Sequence, residues 1–119
     1  MTFWLIIVRP TEKVLKDMEA DAIADGMDKS TVGDYDFIEP FYHYFVVKAD
    51  SEIGAKQKLT IFLKKKLNHQ MISTDKYERF IREAYDEELS VVNRSEFFDK
   101  SVWEIPHNSE LYRNLLYRT

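Results

Sequence analysis

The chain has no cysteine among its 119 residues. Without thiols it cannot form disulfide crosslinks, use a thiolate nucleophile, or hold zinc or an iron–sulfur cluster through cysteine. Glycine and proline are scarce as well, with three of each, too few for a collagen-like or long disordered segment. Because 45% of the residues are hydrophobic, we expect residues 1–119 to fold as one domain around an ordinary apolar core.

Long hydrophobic runs are also missing. The N-terminal apolar run, Phe3–Val8, is far shorter than the roughly 20 residues that a transmembrane helix needs. Arg9 and Pro10 end this run, and neither a basic segment nor a small-residue cleavage site accompanies it. The run therefore predicts a buried strand rather than a signal peptide, and we expect a cytoplasmic protein without a membrane partner.

What the chain does contain is an aromatic segment, residues 41–49, that leads through Asp50 and Ser51 into a lysine-rich stretch. Aromatic and β-branched side chains suit a packed strand, and Asp or Ser can accept the free N–H groups of a helix's first turn. The segment predicts a strand from about residue 37 or 41 to residue 49, and then a helix over about 51–67. The apolar side of that helix comprises Ala55, Leu59, Phe62, Leu63 and Leu67.

The N-terminal part of the chain predicts a strand and a helix. Residues 2–9 are apolar on both strand faces, which indicates a central strand that is covered on both sides. Thr11 can begin a helix, and Gly26 can end it. The apolar positions of this helix are Val14, Leu15, Met18 and Ala22. Because the helix joins the first two strands, we expect those strands to run parallel in one sheet with a right-handed crossover, either adjacent or with another strand between them.

The C-terminal half predicts two more helices and a strand. Over about residues 73–85, apolar side chains follow the i, i+3, i+4, i+7, i+8 pattern of an amphipathic helix, which would place Phe80 in the core. Strand candidates are 91–92 and 101–105, and a last helix begins near residue 108. The order β-α-β-α-α-β-α favours an α/β fold, with α+β as the alternative, in which helices pack on a small mixed sheet as a compact two-layer sandwich.

Charge is sorted by segment. Residues 12–39 carry nine acidic residues and three lysines, a net charge of −6, whereas residues 52–82 carry eight basic and three acidic residues, a net charge of +5. Residues 83–99 return to −5, with six acidic residues and one arginine. The total of −4 therefore hides a dipolar distribution of charge.

Segregated charge of this kind has two interpretations. Either the charged faces are solvated and partly neutralise each other, or one of them docks a macromolecule. For docking, the candidate partner-binding residues lie on the lysine-rich helix and the aromatic strand: Lys56, Lys58, Lys64, Lys65, Lys66, Tyr42, His43 and Tyr44. Aromatic side chains on a strand are also typical of a core, so both readings of the strand stay open.

The histidines offer the one starting point for catalysis. His43, His69 and His107 are widely spaced, and no pair has the spacing of metal ligands on a helix, so the sequence predicts no metal site and no cofactor. His43 lies between Tyr42 and Tyr44 and could act as a general base, since histidine titrates near neutral pH. The alternative is a half-buried strand histidine whose ring nitrogens are satisfied.

Residues 28–39 partly match a calcium-binding loop. Asp28, Ser30, Gly33, Asp36 and Glu39 occupy positions 1, 3, 6, 9 and 12 of that template. Position 5, which needs an oxygen ligand, is a valine, and a proline follows where the exit helix should begin. We therefore favour an acidic turn over a cation site.

The function hypothesis is a small non-catalytic protein that binds a macromolecule, with a protein partner preferred, through its acidic, basic and aromatic surfaces. One alternative is a nucleic-acid-binding module that uses the lysine-rich helix at 56–66 and the aromatic strand at 41–45. A second alternative is a small enzyme centred on His43. A short acidic chain without catalytic motifs is typical of phage and mobile-element inhibitors of host machinery, which would place it in the host cytosol.

Overall fold

Four strands form one antiparallel sheet in the spatial order β3-β1-β2-β4. The computed structural model describes residues 2–32, 34–66 and 75–118. The strands are β1 (Thr2–Pro10), β2 (His43–Ala49), β3 (Tyr77–Glu83) and β4 (Val102–Glu104). The helices are α1 (Glu12–Ala24), α2 (Tyr35–Ile38), α3 (Glu52–Lys65) and α4 (Glu110–Arg118), with 3-10 turns at 39–41, 86–91 and 94–96. The predicted small α/β domain is confirmed.

Strand β1 is the central strand, as its two apolar faces predict. It pairs with β2 on one edge, where Thr2 lies opposite Ala49, and with β3 on the other, where Ile7 lies opposite Phe80. Leu5 and Ile6 point to opposite faces of the sheet, and neither side chain is exposed to solvent. Both edges of this buried strand are therefore hydrogen-bonded, as buried backbone requires.

Helix α3 covers one face of the sheet. It begins where the Ser51 hydroxyl accepts a hydrogen bond from the Gly54 N–H, so the predicted cap is confirmed. Ala55, Leu59 and Leu63 are fully buried on the sheet side of the helix. They pack against side chains from all three neighbouring strands: Ile6, Val8, Phe45, Val47, Ala49 and Val102. The predicted continuation of this helix to Leu67 lies outside the described residues.

Helix α4 and the 86–91 turn cover the opposite face. Tyr112, Leu115 and Leu116 of α4 are buried against Leu5 and Val46 of the sheet. Helical segments therefore flank the sheet on both sides. The reason is that the inner strands are apolar on both faces, and each face needs its own cover.

The predicted parallel pairing of the first two strands is wrong, because β1 and β2 run antiparallel. Helix α1 begins beyond Pro10 and has no buried residue. The chain returns at the same end, and His43 pairs opposite Val8. A parallel pair would need the connection to run the length of the sheet.

The helix predicted over residues 73–85 is also wrong, because residues 77–83 form the edge strand β3. The predicted start at residue 73 or 74 lies outside the described residues. Phe80 is 43% exposed, and the Arg9 guanidinium lies 4.3 Å from its ring centre. The second edge of β1 needs hydrogen-bond partners for its backbone N–H and C=O groups, and residues 77–83 provide them as a strand. This pairing stabilises the strand more than the helical spacing of its apolar residues would stabilise a helix.

A buried carboxylate ties β3 to the turn that follows it. Glu88 has no exposed surface and accepts hydrogen bonds from both terminal nitrogens of Arg82, at 2.8 and 2.6 Å. It also accepts one from the Tyr85 N–H at 2.8 Å. The hydrogen bond to Glu88 raises the pKa of Arg82. The buried charge is thus paired and hydrogen-bonded, as its desolvation requires.

Within the described ranges, no helix is both long enough and apolar enough to cross a membrane.

Two phenylalanines test the corrected fold. Phe45 is 1% exposed in the core, so Phe45→Ala should lower the free energy of unfolding by about 3–5 kcal/mol. Phe80→Ala on the exposed edge should cost about 1 kcal/mol or less. Urea unfolding followed by circular dichroism measures both. Equal losses would mean that Phe80 belongs to the core and that β3 is misassigned.

Substitutions of two glutamates compare the stability that a buried ion pair contributes with the stability that a more exposed ion pair contributes. Glu88→Gln leaves the Arg82 charge without its partner and should lower the free energy of unfolding by about 2–4 kcal/mol. Glu78 pairs with Arg9 at 3.1 Å but is 38% exposed, so Glu78→Gln should cost about 1 kcal/mol or less. Thermal melts of both variants test this order, and a reversed order would refute it.

Candidate functional site

The solvent side of α3 combines exposed apolar and basic side chains. Ile53 and Ile61 are 70% and 56% exposed, and they lie in one outward stripe with Gln57 and Lys64, because residues three, four and eight apart share a helix face. We call this surface, with its flanking lysines, the basic face of α3. It comprises Ile53, Lys56, Gln57, Lys58, Ile61, Lys64 and Lys65.

A groove of about 320 Å³ separates α3 from residues 99–102 and is bordered on the helix by Lys58, Ile61 and Lys65. Ile61 also borders a shallow, open part of the helix surface together with Lys56 and Gln57. Ile61 therefore lies beside one groove and next to lysine side chains.

One of these exposed lysines makes a hydrogen bond within the fold. The Lys58 ammonium donates to the Lys48 carbonyl at 2.7 Å. Lys56, Lys64 and Lys65 are exposed as well. Arg79 of β3 adds a charge beside the helix, where its guanidinium donates to the Thr60 hydroxyl at 2.8 Å. Burial lowers the pKa of Arg79, which still stays charged at neutral pH. Lys66, after the helix, lies 5.6 Å from the Phe62 ring centre.

The aromatic strand belongs mainly to the core. Tyr44 has no exposed surface, and its ring packs edge-on against Tyr112 with the ring centres 5.3 Å apart. Tyr44 therefore cannot contact a partner, which corrects its inclusion among the candidate partner-binding residues. Tyr42 and His43 are half-buried, and only part of each ring reaches solvent. The strand is better explained by packing than by stacking of nucleic-acid bases.

His43 has two neighbours that the sequence did not associate with it. The Phe45–Glu104 pairing of β2 with β4 places Glu104 diagonally across from His43 on the same face of the sheet. Glu104 Oε1 lies 3.5 Å from His43 Nδ1, and His107 Nε2 lies 3.4 Å from that nitrogen and 4.0 Å from Glu104 Oε1. We call these three residues the His43 cluster.

The pKa values of Glu104 and His107 are both lowered within the His43 cluster. The hydrogen bond with His43 lowers the pKa of Glu104, and the positive charges of both histidines and Lys66 add to this effect, while burial opposes it. Burial lowers the pKa of His107, and the neighbouring charge of His43 lowers it further. At neutral pH the cluster therefore holds a carboxylate beside a neutral imidazole, groups that can accept a proton or bind a cation.

Tyr112 of α4 supports the cluster from below. The His107 ring stacks on the Tyr112 ring with centres 4.3 Å apart and an interplanar angle of 21°. The Tyr112 hydroxyl lies 2.7 Å from the carbonyl oxygens of both Glu39 and Tyr42, which share its one donor proton. Burial raises the pKa of this hydroxyl, so it stays protonated as a donor. Tyr112 thus connects His107 to the chain that leads into β2.

The sequence carried almost no signal for this cluster. His43 is separated from Glu104 by 61 positions and from His107 by 64. The only local sign is the i, i+3 spacing of Glu104 and His107. The remaining histidine, His69, lies outside the described residues.

In the acidic segment 28–39, the Asp28 carboxylate forms hydrogen bonds within its own turn. Asp28 accepts hydrogen bonds from the Ser30 N–H and hydroxyl, both at 3.0 Å, and the backbone hydrogen bond is the main reason that its pKa is lowered. This pattern is an Asx turn. Gly33 and the Asp36 side chain lie outside the described part of the chain. For the segment as a whole, an acidic turn in place of a calcium-binding loop therefore stays a prediction.

Comparisons with family models, with curated proteins and with solved structures found no match to this chain.

A substitution that removes one oxygen atom tests the contact between Tyr112 and residues 39–42. Tyr112→Phe removes the hydroxyl and its contact with the two partly buried carbonyl oxygens, which should lower the free energy of unfolding by about 1–2 kcal/mol. Tyr85→Phe is the matched control, because Tyr85 is 57% exposed and should lose less than about 0.5 kcal/mol. Chemical unfolding measures both, and an unchanged midpoint for Tyr112→Phe would show that the hydroxyl adds no stability.

Proposed function

We propose that this chain is a non-catalytic binding protein and that the basic face of α3 docks an acidic segment of a partner protein. The observation that carries the proposal is the pair of exposed isoleucines, Ile53 and Ile61, in line with Lys64 and flanked by further lysines. Occupying a surface of a target in this way is also how a small inhibitor would act.

The apolar part of the surface favours a protein. Single exposed hydrophobic residues are common and need no explanation. Ile53 and Ile61 are eight positions apart on one stripe, however, and Ile61 borders the groove between α3 and residues 99–102. A partner that presents apolar side chains beside carboxylates would fill this groove and pair with the lysines.

The charge of the surface adds steering. Exposed lysines attract an acidic partner over about 10 Å at modest salt, which speeds association more than it slows dissociation. A nucleic acid would use only the lysines, would leave the isoleucines uncovered, and would meet the −6 charge of residues 12–39 on the same chain. We therefore prefer a protein partner to the nucleic-acid alternative.

The test begins by identifying a partner and then measures its binding. The tagged chain captures proteins from a bacterial lysate, mass spectrometry identifies them, and each is purified and titrated against the wild type. Changing Lys56, Lys64 and Lys65 to Glu should weaken the purified complex at least about tenfold, or about 1.4 kcal/mol, mostly through slower association. Binding to the wild type should also weaken with added salt.

The matched control reverses three exposed lysines elsewhere. Changing Lys13, Lys16 and Lys29 to Glu alters the net charge by the same amount but leaves α3 untouched, and it should leave the affinity within about twofold. Thermal melts show whether each triple variant is folded. Equal weakening by both triple variants would refute a local docking face and leave only a net-charge effect.

A second variant separates the protein from the nucleic-acid alternative. Ile61→Ser should weaken a protein complex by about 1–2 kcal/mol but leave phosphate contacts unchanged. The wild type is also titrated with single- and double-stranded DNA and RNA near physiological salt. Sub-micromolar binding with a steep salt slope and no effect of Ile61→Ser would overturn the proposal in favour of nucleic acid.

A further inference from the structure

The His43 cluster brings three metal-binding atoms to one point. Among residues 2–32, 34–66 and 75–118, this is the one group of three such side chains whose ligand atoms all lie within 4.8 Å of one another. The separations are 3.4 Å between the two imidazole nitrogens, and 3.5 and 4.0 Å from those nitrogens to Glu104 Oε1. Tetrahedral zinc, with bonds of about 2.0–2.1 Å, holds its ligand atoms about 3.3–3.4 Å apart.

We propose that His43, Glu104 and His107 bind a divalent transition-metal ion, with zinc as the ion that fits best. The Glu104–His107 distance needs to shorten by about 0.6–0.7 Å, and the other two distances by about 0.2 Å or less. The Glu104 side chain is 45% exposed, so it has room to move by this amount. Two imidazoles and one carboxylate suit zinc, whereas calcium and magnesium prefer sites built from oxygen alone.

The ligands are held by rigid parts of the fold. His43 begins β2 and Glu104 ends β4, and the Ile105 N–H donates to the Tyr44 carbonyl at 2.9 Å, which fixes the two strands beside the cluster. His107 is positioned by its stacking on the Tyr112 ring. Ligands on paired strands and a packed ring have little freedom to lose when an ion binds.

Three protein ligands leave a tetrahedral ion with one open position. The side chains of His43, His107 and Glu104 are 18%, 32% and 45% exposed, so the cluster reaches solvent on one side. Water or another small ligand can therefore take the fourth position, as in zinc sites that are not purely structural. The site is separate from the basic face of α3 and does not depend on the proposed function.

Zinc and cobalt test the wild-type protein directly. After dialysis against a chelator, calorimetric titration with zinc should give one ion per chain, with a Kd on the order of micromolar or tighter. Cobalt(II) should give the visible absorption of a four-coordinate nitrogen and oxygen site. Zinc should also raise the melting temperature, because it binds the folded state.

Variants locate the ion. His107→Gln and Glu104→Gln should each weaken zinc binding on the order of 10- to 100-fold or more, since even indirect support for a ligand contributes that much. Glu96→Gln is the matched control. The Glu96 side chain is 43% exposed, and its carboxylate pairs with the Lys100 ammonium at 3.6 Å rather than with a member of the cluster. The affinity of this variant for zinc should equal that of the wild type.

Magnetic resonance keeps the test independent of variant stability. In the wild type labelled with nitrogen-15, zinc should shift the ring nitrogens of His43 and His107. No stoichiometric binding, zinc that shifts neither ring, or affinities unchanged in both His107→Gln and Glu104→Gln would overturn the site and leave an ordinary histidine–glutamate pair.

Discussion

The double-sided pairing of β1 is the constraint on which the other parts of the structure depend. A strand whose side chains are buried on both faces has no water at its edges, so its N–H and C=O groups need strand partners on each side. Strand β2 supplies one edge, and residues 77–83 supply the other. The same two-sided burial requires a cover on each face, which α3 and α4 provide.

Pairing of β2 with β4 extends this constraint to the His43 cluster. The short β4 adds to the outer edge of β2 with Glu104 opposite Phe45, and the chain then turns at Pro106 into α4. This route places His107 between His43 and the ring of Tyr112. The cluster thus results from the strand register and from the buried side of α4, not from a local motif.

Unlike the His43 cluster, the basic face of α3 follows from local helical geometry. It consists of the side chains on the helix surface that does not pack against the sheet. Ala55, Leu59 and Leu63 take the sheet side, so helical geometry turns Ile61 and Lys64 outward. Two buried charged side chains are instead held within the fold: the Lys48 ammonium donates to the Phe97 carbonyl, and Glu88 pairs with Arg82. Under the proposed function, the exposed lysines of α3 contact a partner protein.

Local patterns of apolar residues were enough to predict the strands and helices whose periodicity marks a buried side. Residues 2–9, the strand ending at Ala49, and the helices after Ser51 and near residue 108 follow from local patterns, and so does the position of the lysines on α3. Contacts that form only when the chain folds make residues 77–83 a strand, set β1 and β2 antiparallel, and bring Glu104 and His107 to His43. Edge pairing and strand register depend on residues far apart in the chain, such as Val8 and His43 or Ile7 and Phe80, and no local spacing encodes them.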